Sequence, residues 1–156
     1  MHISLISVGT KLPNWIKQGF EEYEKRISGP LGFTLVEIPL VHRRKSVPAN
    51  RFIKKEGEAI LAKIERHDYV IALEVTGQRL STADIATRLG DFKSSGQNLV
   101  FLAGGPDGLA LDCRARANEK WSLSDLTLPH WFVRVLLAEQ LYRANSLLQG
   151  HPYHRK

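Results

Sequence analysis

Short apolar runs and stretches of helical period alternate along this chain from one end to the other. Ile3 to Val8 is an apolar run closed by Gly9 and predicts a first strand. From Pro13 to Ile27 the residues Trp15, Ile16, Phe20, Tyr23 and Ile27 fall on one helical face, Pro13 being tolerated in a first turn, and Gly29-Pro30 ends the helix. Phe33 to Ile38 predicts a second strand, stopped by Pro39. The polar segment His42-Arg43-Arg44-Lys45-Ser46 then reads as a mobile loop. Helical period returns over Ala49 to Glu65, and the β-branched run Asp68 to Val75 suits a buried strand. A third helix is expected from Ser81 or Thr82, with Gly90 to Gly96 as a turn-rich break, followed by the strand Leu99 to Ala103 and the loop Gly104-Gly105-Pro106-Asp107-Gly108. A short helix at about Leu111 to Asn118 and an extended piece from Lys120 to Leu123 lead to the longest helix. That helix runs from Pro129 through Phe132, Val133, Leu136, Leu137, Leu141, Ala144, Leu147 and Leu148 to Gly150, a C′ glycine. The alternation predicts one α/β domain over residues 1–156, with a mainly parallel sheet and helices on both faces.

Composition supports a single packed unit. A length of 156 residues is one ordinary domain, and 43% hydrophobic with 24% charged residues excludes a disordered chain or a rod. The formal charge of +6 favours an anionic partner such as nucleic acid, although solubility alone explains as much. The one cysteine, Cys113, excludes an intramolecular disulfide framework, reads as a small buried hydrophobe, and makes the reducing cytoplasm the natural setting. No run of 18 apolar residues exists, so no membrane partner is expected.

In an open α/β sheet ligands bind beyond the carboxyl ends of the strands, which directs attention to the loops after Leu73 and Ala103 and to residues 122–129. The glycine loop lets backbone approach a ligand, but a tight turn with no ligand accounts for it equally well. Neither a G-x-G-x-x-G nor a G-x-x-x-x-G-K-[ST] sequence is present, which removes the usual dinucleotide and triphosphate folds. The six histidines include no H-E-x-x-H pair and no cysteine or carboxylate cluster at ligand spacing, so no metal is expected. His151 and His154 can serve simply to cap the last helix. Yet Tyr153, His154 and Arg155 combine a stacking ring, a titratable group and a fixed cation, as a nucleobase and its phosphate require. For Arg43, Arg44, Lys45, Arg51, Lys54 and Lys55, a solvated charged face and phosphate contact are equally good readings.

The run from Trp121 through Ser122-Leu123-Ser124-Asp125-Leu126-Thr127-Leu128-Pro129-His130 continues as Val133-Arg134-Val135-Leu136-Leu137-Ala138-Glu139-Gln140-Leu141-Tyr142-Arg143-Ala144 and closes with His151-Pro152-Tyr153-His154-Arg155. With Val8-Gly9-Thr10-Lys11, Lys55-Glu56-Gly57 and the glycine loop, it resembles the ribosomal RNA large subunit pseudouridine N3-methyltransferase family of the SPOUT superfamily, over essentially the whole chain. The resemblance implies a C-terminal trefoil knot, with knot and cofactor site in about residues 70–150 and a catalytic tail at 151–156. It implies S-adenosylmethionine held by Leu73, by Gly104, Gly105 and Gly108, and by Leu123, Ser124, Asp125, Leu126, Thr127 and Leu128. It also implies a homodimer, with the site between one subunit's cofactor and the other's surface, acting on large-subunit ribosomal RNA or the assembled ribosome. The family's reaction assigns His154 as candidate base, Arg155 as the cation near developing charge and Tyr153 as the base-positioning ring. Trp131, Phe132 and Leu136 on the last helix serve a subunit interface as readily as a core. The competing expectations are a knotted methyltransferase acting on transfer RNA, an RNA-binding module without chemistry, and a small oxidoreductase that uses a nucleotide cofactor.

Overall fold

The computed structural model describes residues 1–27, 31–151 and 153. Its elements run β1 (His2–Val8), α1 (Asn14–Ile27), β2 (Gly32–Ile38), α2 (Ala49–Leu61), β3 (Tyr69–Arg79), α3 (Thr82–Ser95), β4 (Leu99–Ala103), α4 (Leu111–Arg116), β5 (Glu119–Ser122) and α5 (Phe132–Gln149). The five strands form one sheet in the order β2-β1-β4-β3-β5, with every pairing parallel. Parallel strands need crossovers, and right-handed ones place each helix on the face dictated by the direction of strand travel. Here α5 packs against both α1 and α3, while α2 packs against α4.

Side-chain alternation divides the core accordingly. Ile3 and Leu5 of β1, Ile71 of β3 and Leu99, Phe101 and Ala103 of β4 meet Phe20, Leu89, Phe92, Leu137, Leu141 and Ala144 in one cluster. Ile6, Val8, Val70, Ala72, Val100 and Leu102 point the other way, toward Ile60 and Cys113. β4 is buried along its whole length, as a central parallel strand covered on both faces must be. Cys113 is fully buried, its thiol donates to the Gly57 carbonyl at 3.6 Å, and burial pushes its pKa up to about 11, helped by Asp112, so it is the inert hydrophobe expected. Gly57 permits this contact: a Cβ there would lie 2.6 Å from Ala110 Cβ, so glycine sets how closely α2 and α4 approach.

Three boundaries differ from the pattern reading. α2 stops at Leu61 because the next residues turn, with the Asp68 carboxylate accepting from the Glu65 amide at 2.8 Å. β3 continues to Arg79 because, after an irregularity beyond Leu73, Gln78 and Arg79 pair again with Trp121 and Ser122 of β5. The expected break at Gly90 is instead mid-helix: α3 runs on to Ser95 and ends at Gly96 in the left-handed conformation. A Cβ at Gly90 would stand 3.4 Å from Leu148, so this glycine serves close packing of α5. α3 begins where expected, with a reciprocal capping box between Ser81 and Asp84.

Among the described residues no helix is long and apolar enough to cross a membrane.

Candidate cofactor cavity

The carboxyl ends of β3 and β4 open into a cavity of about 550 Å³. Its walls come from three segments: Leu73 to Thr76, where the pairing of β3 becomes irregular, the glycine loop with Ala103 and Leu109 after β4, and Leu128 to His130 with Val133 where the chain returns into α5. A smaller cavity of about 80 Å³ adjoins it, sharing Leu73, Leu128 and Val133 and adding Leu123, Ser124 and Leu126.

The glycine loop is built by backbone proximity. A Cβ at Gly104 would lie 2.5 Å from the Gly108 carbonyl carbon and 2.8 Å from the Leu109 nitrogen, distances no side chain tolerates. The Gly108 amide donates to the Gly105 carbonyl at 3.0 Å, and Gly108 has φ +85°, where an L-residue is strained. The 123–128 loop is shaped by its serines: Ser122 Oγ donates to the Ser124 carbonyl, and Ser124 Oγ accepts from the Leu126 amide, both at 2.9 Å. Leu123, Leu126 and Leu128 line the two adjoining cavities and give them the apolar walls an adenine ring requires.

Charged side chains fix the rim. Arg114 on the cavity wall pairs with Glu74. Arg134, fully buried near the start of α5, donates to Ser7 Oγ at 3.0 Å, to Glu37 at 2.7 Å and to the Gly9 carbonyl at 2.6 Å, tying the return helix to the end of β1. His130 sits one turn before it. Burial, reinforced by Arg134 and opposed by Glu56, lowers its pKa and so favours the neutral imidazole. At the start of β5, Glu119 receives hydrogen bonds from Arg88, Tyr69 and Trp121. Burial pushes this carboxyl up, but those donors prevail and bring it down to about 2.

Of the expected cofactor residues, Leu73, Gly104, Gly105, Gly108 and Leu128 line the larger cavity, and Leu123, Ser124 and Leu126 the smaller. Asp125 and Thr127 line neither; Asp125 is exposed and pairs with Arg79 at 2.9 Å. Glu74, Leu109, Arg114, His130 and Val133 belong to the walls although the sequence did not single them out as site residues. The signal for Leu109 and His130 was their adjacency to the glycine loop and to Pro129, whereas Arg114 is brought in only by tertiary packing.

Tyr153 takes no part in lining the cavity. Its hydroxyl donates to Glu139 at 3.1 Å, its ring lies 4.5 Å from that of Tyr142, and the Arg143 guanidinium stands 4.8 Å above it. Tyr142, on which it packs, and Val133 of the cavity wall are nine residue steps apart on α5, roughly 14 Å along the helix axis. His154 and Arg155 lie outside the described residues.

Comparison with known proteins supplies the remaining findings. A family model described as a predicted SPOUT methyltransferase matches residues 1–154. A protein of Hahella chejuensis named ribosomal RNA large subunit methyltransferase H is 51% identical over 156 residues, covering all of both chains. Its namesake from Alkalilimnicola ehrlichii is also 51% identical, over 155 residues and 99% of each chain. Among solved structures, a probable methylase family protein from Haemophilus influenzae superposes with TM-score 0.58 at 13% identity, covering 97% of this chain and 69% of that one, a likeness of fold.

Proposed function

The chain belongs to the SPOUT methyltransferase family, and from that premise we propose that it methylates large-subunit ribosomal RNA at N3 of a pseudouridine, using S-adenosylmethionine held in the glycine-loop cavity. The observation that carries this reading is the convergence of the irregular stretch of β3, the glycine loop after β4 and the return into α5 on one cavity, in a chain whose full length matches ribosomal RNA methyltransferases. Leu73, Gly104, Gly105, Gly108 and the loop from Leu123 to Leu128 are the residues that would hold the cofactor. The apolar walls fit its adenine and the Gly104–Gly108 backbone can approach where a side chain could not. When bound, S-adenosylmethionine supplies an electrophilic methyl group on a sulfonium.

The chain's own task is to prepare the attacking nitrogen. N3 of a pseudouridine carries an imide proton, which must leave before or during attack, so the site needs a base or a cation that stabilises the anion. The tail supplies these in our reading: His154 as base, Arg155 as cation and Tyr153 as the ring that positions the nucleobase. Because Tyr153 is docked on Glu139, Tyr142 and Arg143, away from its own chain's cavity, we assign the tail of one subunit to the cofactor of the other in a homodimer. Trp15, 55% exposed and in edge contact with Trp131 at 5.4 Å, makes with Phe132 an aromatic surface suited to that interface. The passage from the edge strand β5 back to a helix between α1 and α3 is the crossing we read as the trefoil knot.

The test is transfer of a labelled methyl group from S-adenosylmethionine to ribosomes, naked ribosomal RNA and transfer RNA, all from cells lacking this protein, followed by nucleoside identification. Label in N3-methylpseudouridine from ribosomal substrate is expected. Label in transfer RNA alone would keep the methyltransferase and overturn its substrate, while cofactor binding without label in any RNA would contradict the catalytic reading.

A further inference from the structure

The cofactor cavity continues past His130. The same imidazole borders a second cavity of about 410 Å³, between Gly9 to Leu12 on one side and Leu40 and Trp131 on the other. Val41 and His42 lead from there into a third, of about 350 Å³, edged by Arg44, Arg51 and Lys55. A groove therefore runs from the methyl donor's cavity to the first turns of α2.

The cations along it are of two kinds. Arg43 is committed to the protein: it donates to Glu56 at 2.6 Å, to the Val41 carbonyl at 2.9 Å and to Asp107 of the glycine loop at 3.0 Å, and it lies over the Phe52 ring. Its partner Glu56 is 2% exposed, so this pair fixes the groove's floor against the cofactor loop. Lys11, Arg44, Arg51 and Lys55 are exposed, and none has an acidic partner among the described residues. Elsewhere Arg26, Arg79, Arg88, Arg114, Arg134 and Arg143 are each paired with a carboxylate, and the exposed cations Lys17, Lys63, Arg66 and Lys120, which have no ion-pair partner among the described residues, line none of these three cavities. Arg51 and Lys55 stand one turn apart on α2, so both face the groove. Like charges held together without counter-charges repel, and a bound polyanion relieves this.

We propose that this groove is the track for a single-stranded RNA segment flanking the methylated nucleotide. Its phosphates lie against Arg44, Arg51 and Lys55, and the target base turns into the cavity beside His130. The inference rests on the RNA-methyltransferase reading and assigns it a surface. RNA is favoured over an acidic peptide because the cations lead to a space walled by the His130 and Trp131 rings with Leu12 and Leu40, where an unstacked base finds the contacts it lost, whereas a peptide carboxylate gains only Lys11.

The test compares the wild-type protein with an Arg44→Glu/Arg51→Glu double variant, whose two side chains are exposed and have no acidic partner among the described residues, and so contribute little to folding. Two readouts are taken: steady-state methyl transfer to ribosomal substrate, and anisotropy of a labelled single-stranded RNA oligonucleotide across a salt series. The variant is expected to raise KM and the RNA Kd by at least roughly tenfold and to flatten the salt dependence, with S-adenosylmethionine affinity unchanged. A Lys63→Glu/Arg66→Glu control, with the same charge change outside the groove, should keep wild-type values. Wild-type KM, Kd and salt slope in the groove variant would overturn the proposal, as would equal losses in the control or an acidic peptide bound as tightly as RNA. If the wild-type protein methylates no RNA, the enzymatic reading fails while the anisotropy series still decides the groove.

Discussion

The glycine-loop cavity and the basic groove meet at His130, yet they are made in opposite ways. The cavity is backbone: Gly104 is packed so closely on Gly108 that no Cβ fits, and Gly108 occupies the left-handed region. The groove is side chain: among the described residues Arg44, Arg51 and Lys55 project from the surface with no acidic partner, while Arg43 is locked in place. A ligand gripped by backbone constrains the protein's shape, whereas one gripped by exposed cations constrains only its charge. Substitutions in the first region should therefore alter structure and cofactor affinity together, and in the second RNA affinity alone.

The severest way to break this contrast is Gly104→Val. Forcing a side chain into 2.5 Å of backbone must open the loop, which at an overpacking cost of about 2–3 kcal/mol should weaken S-adenosylmethionine binding roughly 100-fold. Calorimetric titration of a folded variant with near-normal affinity would count against the backbone cradle.

The joint between the regions comes next. Arg43→Met leaves the Glu56 carboxylate buried beside an apolar chain, and because Arg43 is itself 28% exposed the loss should be about 2 kcal/mol, read from urea unfolding. Adding Glu56→Gln should restore part of it. Equal stability of single variant and wild type would mean that Arg43 does not hold the two regions together.

Acid should loosen the cofactor side. Glu119, at the foot of the strand that carries the 123–128 loop, titrates at about 2 against an ordinary value of 4.5. A carboxyl depressed in the folded state contributes stability that is complete above its unfolded pKa and is lost as pH falls through the window from about 4.5 to about 2. Glu119→Gln should flatten the decline of stability across that window. An unchanged acid limb would show that Arg88, Tyr69 and Trp121 hold β5 without the charge.

The smallest effect is expected at Leu126, which is 70% exposed. Leu126→Ala should change unfolding free energy by no more than about 0.5 kcal/mol while reducing cofactor affinity about threefold. A stability loss without an affinity loss would remove Leu126 from the site.

Much of this architecture was legible in local pattern. The α/β alternation, the start of α3 at Ser81 or Thr82, Gly150 just past the last helix and the position of the glycine loop all follow from short-range chemistry that tertiary contacts did not overrule. What pattern could not give depended on distant partners. Gly90 looked like a break because its reason, the approach of Leu148, lies 58 residues away in sequence. The six cations of the second loop and helix looked equivalent until Glu56 and Asp107 separated Arg43 from the others. The resemblance likewise assigns the whole of 123–128 to the cofactor, and only the structure shows how the loop divides its side chains, with Leu123, Ser124 and Leu126 on a cavity and Asp125 paired with Arg79.

The most direct test of the account is amide NMR of the isotopically labelled protein titrated with S-adenosylhomocysteine, the demethylated product. The largest shifts are expected on Gly104, Gly105, Gly108 and the amides from Leu123 to Leu128, with Arg44, Arg51 and Lys55 unmoved. Absence of binding, or shifts centred on the basic groove with the glycine loop silent, would contradict it.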